Sequence, residues 1–176
     1  MQDDFGLYDD SFIITIIGNR LESEITDSFI ELLKQISDIS KNIKIAIIGK
    51  CENVGEKLKA LLGDSVMVLG ALSDSSLFMG VTDILIQPER AGGGRSTVEA
   101  LAYKVPVVVT KFGDSYYNAG ESFIVNSYEE MFVEVNRLFS DRKYYEEKSI
   151  LAGKRYEELN DIQSTLKGWM KNITKM

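Results

Sequence analysis

The sequence predicts an α/β domain: a Rossmann-like, doubly wound parallel sheet of about six strands, with helices on both faces and further helices at the C-terminus. Three observations predict it. Apolar runs of strand length alternate with segments that place apolar residues at helical spacing, which is the pattern of successive βαβ units. The runs are apolar throughout, as expected of strands covered on both faces. Several end at a glycine or lead into hydroxyl and acidic residues suited to opening a helix.

The elements follow in order. "SFIITIIG" (11–18) reads as a buried strand, and "EITDSFIELLKQISDI" (24–39) as a helix, with Ile25, Phe29, Leu32, Leu33 and Ile36 on one face. "IKIAIIG" (43–49) is a second strand, and "VGEKLKALLG" (54–63) is a helix stopped by glycine. "SVMVLG" (65–70) is a strand and "SDSSLFMGV" (73–81) a short helix. "DILIQP" (83–88) is a strand. "STVEALAYK" (96–104) is a helix, with Ser96 as N-cap and Glu99 at capping-box spacing. "VPVVVT" (105–110) and "SFIV" (122–125) complete the strands, and from 127 onward the chain reads as helical, packing over one edge of the sheet.

The 176 residues suffice for one domain with a full core, and the whole chain is expected to be that single domain. The net charge of −7 disfavours a general nucleic-acid surface. The apolar runs are far shorter than the roughly 20 residues that span a bilayer. The opening "MQDDFGLYDD" is acidic and has no signal-peptide pattern. One cysteine, Cys51, excludes a disulfide framework and a thiolate metal cluster. Histidine is absent, which removes the commonest general base and metal ligand. A cytoplasmic setting is expected, with peripheral association at the inner membrane face left open.

The stretch "PERAGGGRSTVE" (88–99) is the candidate site. It leaves the carboxyl end of the 83–88 strand and opens a helix, the place where such sheets bind ligands. Amides of Gly93, Gly94 and Arg95, with the hydroxyls of Ser96 and Thr97, suit phosphate or sugar oxygens at a helix N-terminus. Arg95 adds a permanent cation. The spacing is neither a P-loop nor GxGxxG. A tight strand-to-helix turn without a ligand is the other reading.

The run "DILIQPERAGGGRSTVEALAYKVPVVVT" resembles the donor-site signature of the retaining glycosyltransferases of GT-B fold, and "IITIIGNRLESE" is similar to the start of their C-terminal domain. The resemblance covers nearly all of residues 11 to 140. It implies that Glu99 bonds the ribose hydroxyls of a nucleotide-sugar such as a UDP- or GDP-sugar. It likewise implies that Gly92 to Arg95 meet the sugar and diphosphate, with Ser96 and Thr97 beside them. Arg20 would neutralise the departing diphosphate, so Arg20 and Glu99 are the catalytic candidates. No metal or other cofactor is implied.

Three departures accompany it. Ala91 stands where the family usually has a second glutamate, with Glu89 two residues off. Ile25 stands at a usual lysine, and Lys104 at a usual glycine. "TKFGDSYYNAGESFIV" (110–125) resembles the loop beside the donor pocket, with Tyr116, Tyr117 and Asp114 as contacts. The resemblance further implies a C-terminal half whose acceptor, a glycan, lipid or protein, is held by an N-terminal domain, and which is inactive alone. A non-catalytic nucleotide-sugar-binding module or partner subunit, and a sugar-nucleotide epimerase-like domain, are the alternatives.

Overall fold

A computed structural model describes residues 10–161. Six strands form one parallel sheet: β1 (Phe12–Ile17), β2 (Ile43–Ile48), β3 (Val66–Gly70), β4 (Ile84–Ile86), β5 (Val107–Thr110) and β6 (Ile124–Val125). Their order is β3-β2-β1-β4-β5-β6, with Ile14 opposite Ile45 on one side and Ile84 on the other. This is the doubly wound topology that the apolar alternation predicts. The order reverses between β1 and β4, so the chain leaves these neighbouring strands in opposite directions and opens a crevice at their carboxyl ends.

The pleat sorts the strand residues between two layers. Ile14, Ile16, Ile45, Ile47 and Ile84 face one cluster with α2 (Asp27–Ser37), α3 (Glu52–Leu62) and α7 (Tyr128–Ser140). Leu85, Val107 and Val109 face the other, with α5 (Gly94–Ala102), α6 (Gly113–Ala119) and α8 (Arg142–Asn160). Ile13, Ala46 and Ile48 pack with Phe78 of α4 (Ser76–Met79). Each fully buried Ile, Leu or Phe side chain contributes roughly 1.5–3 kcal/mol of transfer free energy. The last two helices link the layers across the amino edge: α7 covers the first layer, while α8 begins against that layer at Tyr144 and Tyr145 and continues into the second at Ala152 and Tyr156. The expected helical tail past 161 and the acidic opening lie outside the described residues.

Capping explains where the boundaries depart from expectation. The helix expected over 24–39 starts later, as α2 at Asp27, with a separate short α1 (Leu21–Glu24) before it, because the Thr26 hydroxyl accepts the Phe29 amide at 3.3 Å and starts a new helix. α5 begins at Gly94, two residues before Ser96. The 110–125 segment contains α6, a helix the sequence reading leaves as loop. The end of α5 is a Schellman motif, in which the Lys104 amide donates to Leu101 and the Val105 amide to Ala100. The motif needs a left-handed residue, and Lys104 supplies it at φ 59°, the one positive-φ residue other than glycine among those described. The glycine that Lys104 replaces is thus one the backbone itself favours.

The amino edge of the sheet is closed by hydrogen bonds. Asp83 accepts the Ile13 amide at 2.7 Å, and the Tyr145 hydroxyl donates to the Asp83 carbonyl at 3.2 Å. Burial pushes the Asp83 carboxyl up from its ordinary value. Burial, aided by the Asp83 charge, pushes Tyr145 up to about 12.

Candidate functional site

At the carboxyl edge, the loops after β1, β3 and β4 surround a cavity of 380 Å³. The β1 loop brings Gly18, Asn19 and Arg20, the β3 loop Leu72 to Ser75, and the β4 loop Arg90, Gly92 and Gly93. The first turn of α5 adds Arg95, Ser96 and Glu99. Six of the sequence candidates therefore line one cavity: Arg20, Gly92, Gly93, Arg95, Ser96 and Glu99. Gly94 and Thr97 are not on its lining.

Gly93 is the N-cap of α5, at φ 97°. A Cβ there would lie 2.7 Å from the Ser115 hydroxyl and 2.8 Å from the Arg90 guanidinium, so glycine is required by both conformation and space. The Ser96 and Thr97 hydroxyls donate back to the Gly93 carbonyl, at 3.0 and 3.1 Å. Gln87 in turn donates to the Ser96 hydroxyl at 2.9 Å. The capping box expected of Ser96 and Glu99 does not form, because the helix starts earlier and Ser96 is buried within its first turn. The two hydroxyls thus hold the loop. The groups left to meet a ligand are the amides at the helix N-terminus, which have no partner within the helix, and the charged side chains.

α6 braces this loop from behind. The Asp114 amide donates to Ala91, and the Asn118 side chain to Gly94, both at 3.0 Å. Gly113, at φ 67°, sits so close that a Cβ would be 2.0 Å from the Arg90 carbonyl. Tyr116 and Tyr117 meet edge to face, 5.1 Å apart, on α6 and outside the cavity lining. Asp114 acts through its backbone in the same place. Glu89 is also off the lining, its amide held by the Tyr128 hydroxyl at 3.0 Å.

The charged side chains form two sets. Glu99 accepts from Arg95 at 2.8 Å, with the arginine in solvent and the carboxylate largely covered. Glu24 takes two arginines: exposed Arg20 at 3.3 Å and buried Arg90 at 2.9 Å. Arg90 also donates to the Ile17 carbonyl, tying the β4 loop to the end of β1. Neither Arg90 nor Glu24 is among the sequence's site candidates. Their separation of 66 residues gives no local signal, and only the β1–β4 adjacency brings them together. Among the described residues no helix is long and apolar enough to cross a membrane.

Comparison with known proteins bears on this arrangement. The family model for glycosyl transferases group 1 matches residues 1–151. The capsular polysaccharide biosynthesis glycosyltransferase CapM of Staphylococcus aureus is 27% identical over 128 residues, covering 68% of this chain and 34% of CapM. Among solved structures, WaaG, a glycosyltransferase involved in lipopolysaccharide biosynthesis, superposes with a TM-score of 0.76 at 17% identity, over 92% of this chain and 46% of WaaG. Anabaena HepE, solved in complex with UDP and glucose, also gives 0.76, at 16% identity, over 99% of this chain and 51% of HepE. The chain thus spans about a third to a half of the length of these relatives. The structural likenesses establish the Rossmann-like GT-B fold, and the match over most of the chain establishes the family: the protein belongs to the group 1 glycosyl transferases.

Proposed function

We propose that this domain binds the nucleotide-sugar donor of a glycosyltransferase, in the crevice between the β1 and β4 loops. The observation that carries the reading is the meeting, in one cavity at the topological switch point, of the α5 N-terminus, three arginines and Glu99. The helix N-terminus and the arginines suit a diphosphate. Glu99 suits the ribose hydroxyls as an ionised acceptor, once Arg95 has turned from it to the phosphates. The UDP held by HepE, a relative in fold, is consistent with this ligand class.

In transfer, charge builds on the diphosphate as the bond from its oxygen to the sugar carbon breaks. Arg20 and the amides after Gly92 stand where that charge develops, so they stabilise the leaving group more than the intact donor. The acceptor hydroxyl is brought by a further part of the enzyme, as the length of the relatives suggests, and the acceptor is a glycan, lipid or protein. Retention of configuration and independence from metal belong to the same proposal. A module that binds the donor without transferring it is a second reading, favoured by Ala91, which offers no carboxylate to the sugar.

Calorimetric titration with UDP, GDP and ADP tests the site. One of them should bind, and Glu99→Ala should weaken it by about 1.5–3 kcal/mol. Failure of all three at millimolar concentration would leave the glycine loop as a turn only.

A further inference from the structure

We infer that Arg90 is the fixed anion-binding cation of this site, and that Glu24 is the carboxylate that holds it and competes with the incoming phosphates. The inference rests on the donor-site reading above.

Arg90 is 7% exposed and lines the cavity. A guanidinium has five N–H donors. Here one goes to Glu24 and one to the Ile17 carbonyl, while the buried Nε–H has no partner. Leaving a buried charged donor unpaired is costly, so its persistence calls for a reason. The backbone has also been cleared around it. A Cβ on Gly18 would lie 1.9 Å from the Arg90 Nη1, and one on Gly93 2.8 Å from its Nε and Nη2. Glycines on the loops of both neighbouring strands therefore make room for one side chain.

The charges point the same way. Glu24 carries one negative charge and touches two guanidiniums, so the Arg20–Glu24–Arg90 group has a net positive charge beside the α5 N-terminus. Arg20 is 68% exposed, while Arg90 is held by both Glu24 and the Ile17 carbonyl at the end of β1. A pyrophosphate group entering the cavity meets a cation whose orientation is already fixed, and it takes over the part of the two arginines that Glu24 now satisfies. Preorganisation of this kind lowers the ordering cost of binding.

The test is titration of wild type, Arg90→Met, Arg90→Lys and Glu24→Gln with UDP, GDP, ADP and inorganic pyrophosphate. Arg90→Met should lose about tenfold or more in affinity for the diphosphate that wild type binds, and Arg90→Lys should restore part of it. Glu24→Gln should bind about three- to tenfold more tightly, because a competing anion is gone. A residue that merely tied the loops together would give no such gain, so Glu24→Gln decides the matter if Arg90→Met does not fold. Wild-type affinity in Arg90→Met, or unchanged or weaker binding in Glu24→Gln, overturns the role of Arg90 alone. If wild type binds none of the four anions, the donor-site reading falls and this one with it.

Discussion

The two ends of the sheet are built on opposite terms. At the amino edge Asp83, Ile13 and Tyr145 bond one another, and Thr15 pairs with Thr82 at 2.8 Å, each group meeting a partner in the protein. At the carboxyl edge, glycines, arginines and a helix N-terminus surround a cavity. Among the described residues, the buried side-chain polar atoms with no partner are Gln87 Oε1, Arg90 Nε and Ser115 Oγ. All three lie at the glycine loop. A buried polar atom without a partner destabilises the fold, so three together mark an edge shaped for something other than stability. The amino edge holds the fold, and the carboxyl edge carries the proposed donor site.

Exchanging the roles of the ends should fail in a measurable way. Glu99→Ala should cost about 1.5–3 kcal/mol of nucleotide affinity while changing stability by less than about 1 kcal/mol, since its arginine partner is at the surface. Asp83→Ala should do the reverse. It leaves the buried Ile13 amide unpaired and should lower unfolding free energy by about 1–3 kcal/mol, with nucleotide affinity unchanged. Denaturant melts and titrations on both variants read the crossing directly, and a loss of affinity in Asp83→Ala would break the division.

The amino edge should also be sensitive to alkali. Tyr145 ionises at about 12 in the folded chain against 10.0 for the free side chain. Between those values the folded state holds a proton that the unfolded state has released, so stability falls as pH rises from 10 toward 12. Tyr145→Phe should flatten that part of the pH profile measured by circular dichroism. The smallest effect lies at the turn from α5 into β5. Lys104→Gly relieves a left-handed lysine at the Schellman position and should stabilise by about 1 kcal/mol, with nucleotide binding unaffected.

The sheet was legible because its strands are apolar runs such as "FIITII" and "IKIAII", and runs of that kind have one home in an alternating α/β chain. The place of the site followed from the strand before the glycines and the helix after them. α6 was hidden by its length and by "GDSYYNA", which has little helical periodicity. The early start of α5 depended on Gly93 taking a left-handed turn, so that Ser96 and Thr97 bond backward to its carbonyl. No local rule announces that choice. Arg90 and Glu24 could not be read at all without the strand order.

Backbone amide shifts recorded by NMR during titration with the tightest-binding nucleoside diphosphate test the central claim most directly. The account predicts changes concentrated at Gly18 to Arg20, Gly92 to Arg95 and Glu99, with Ile13, Asp83 and Tyr145 still. Shifts centred on the amino edge, or saturable binding that leaves the glycine loop unmoved, would contradict it.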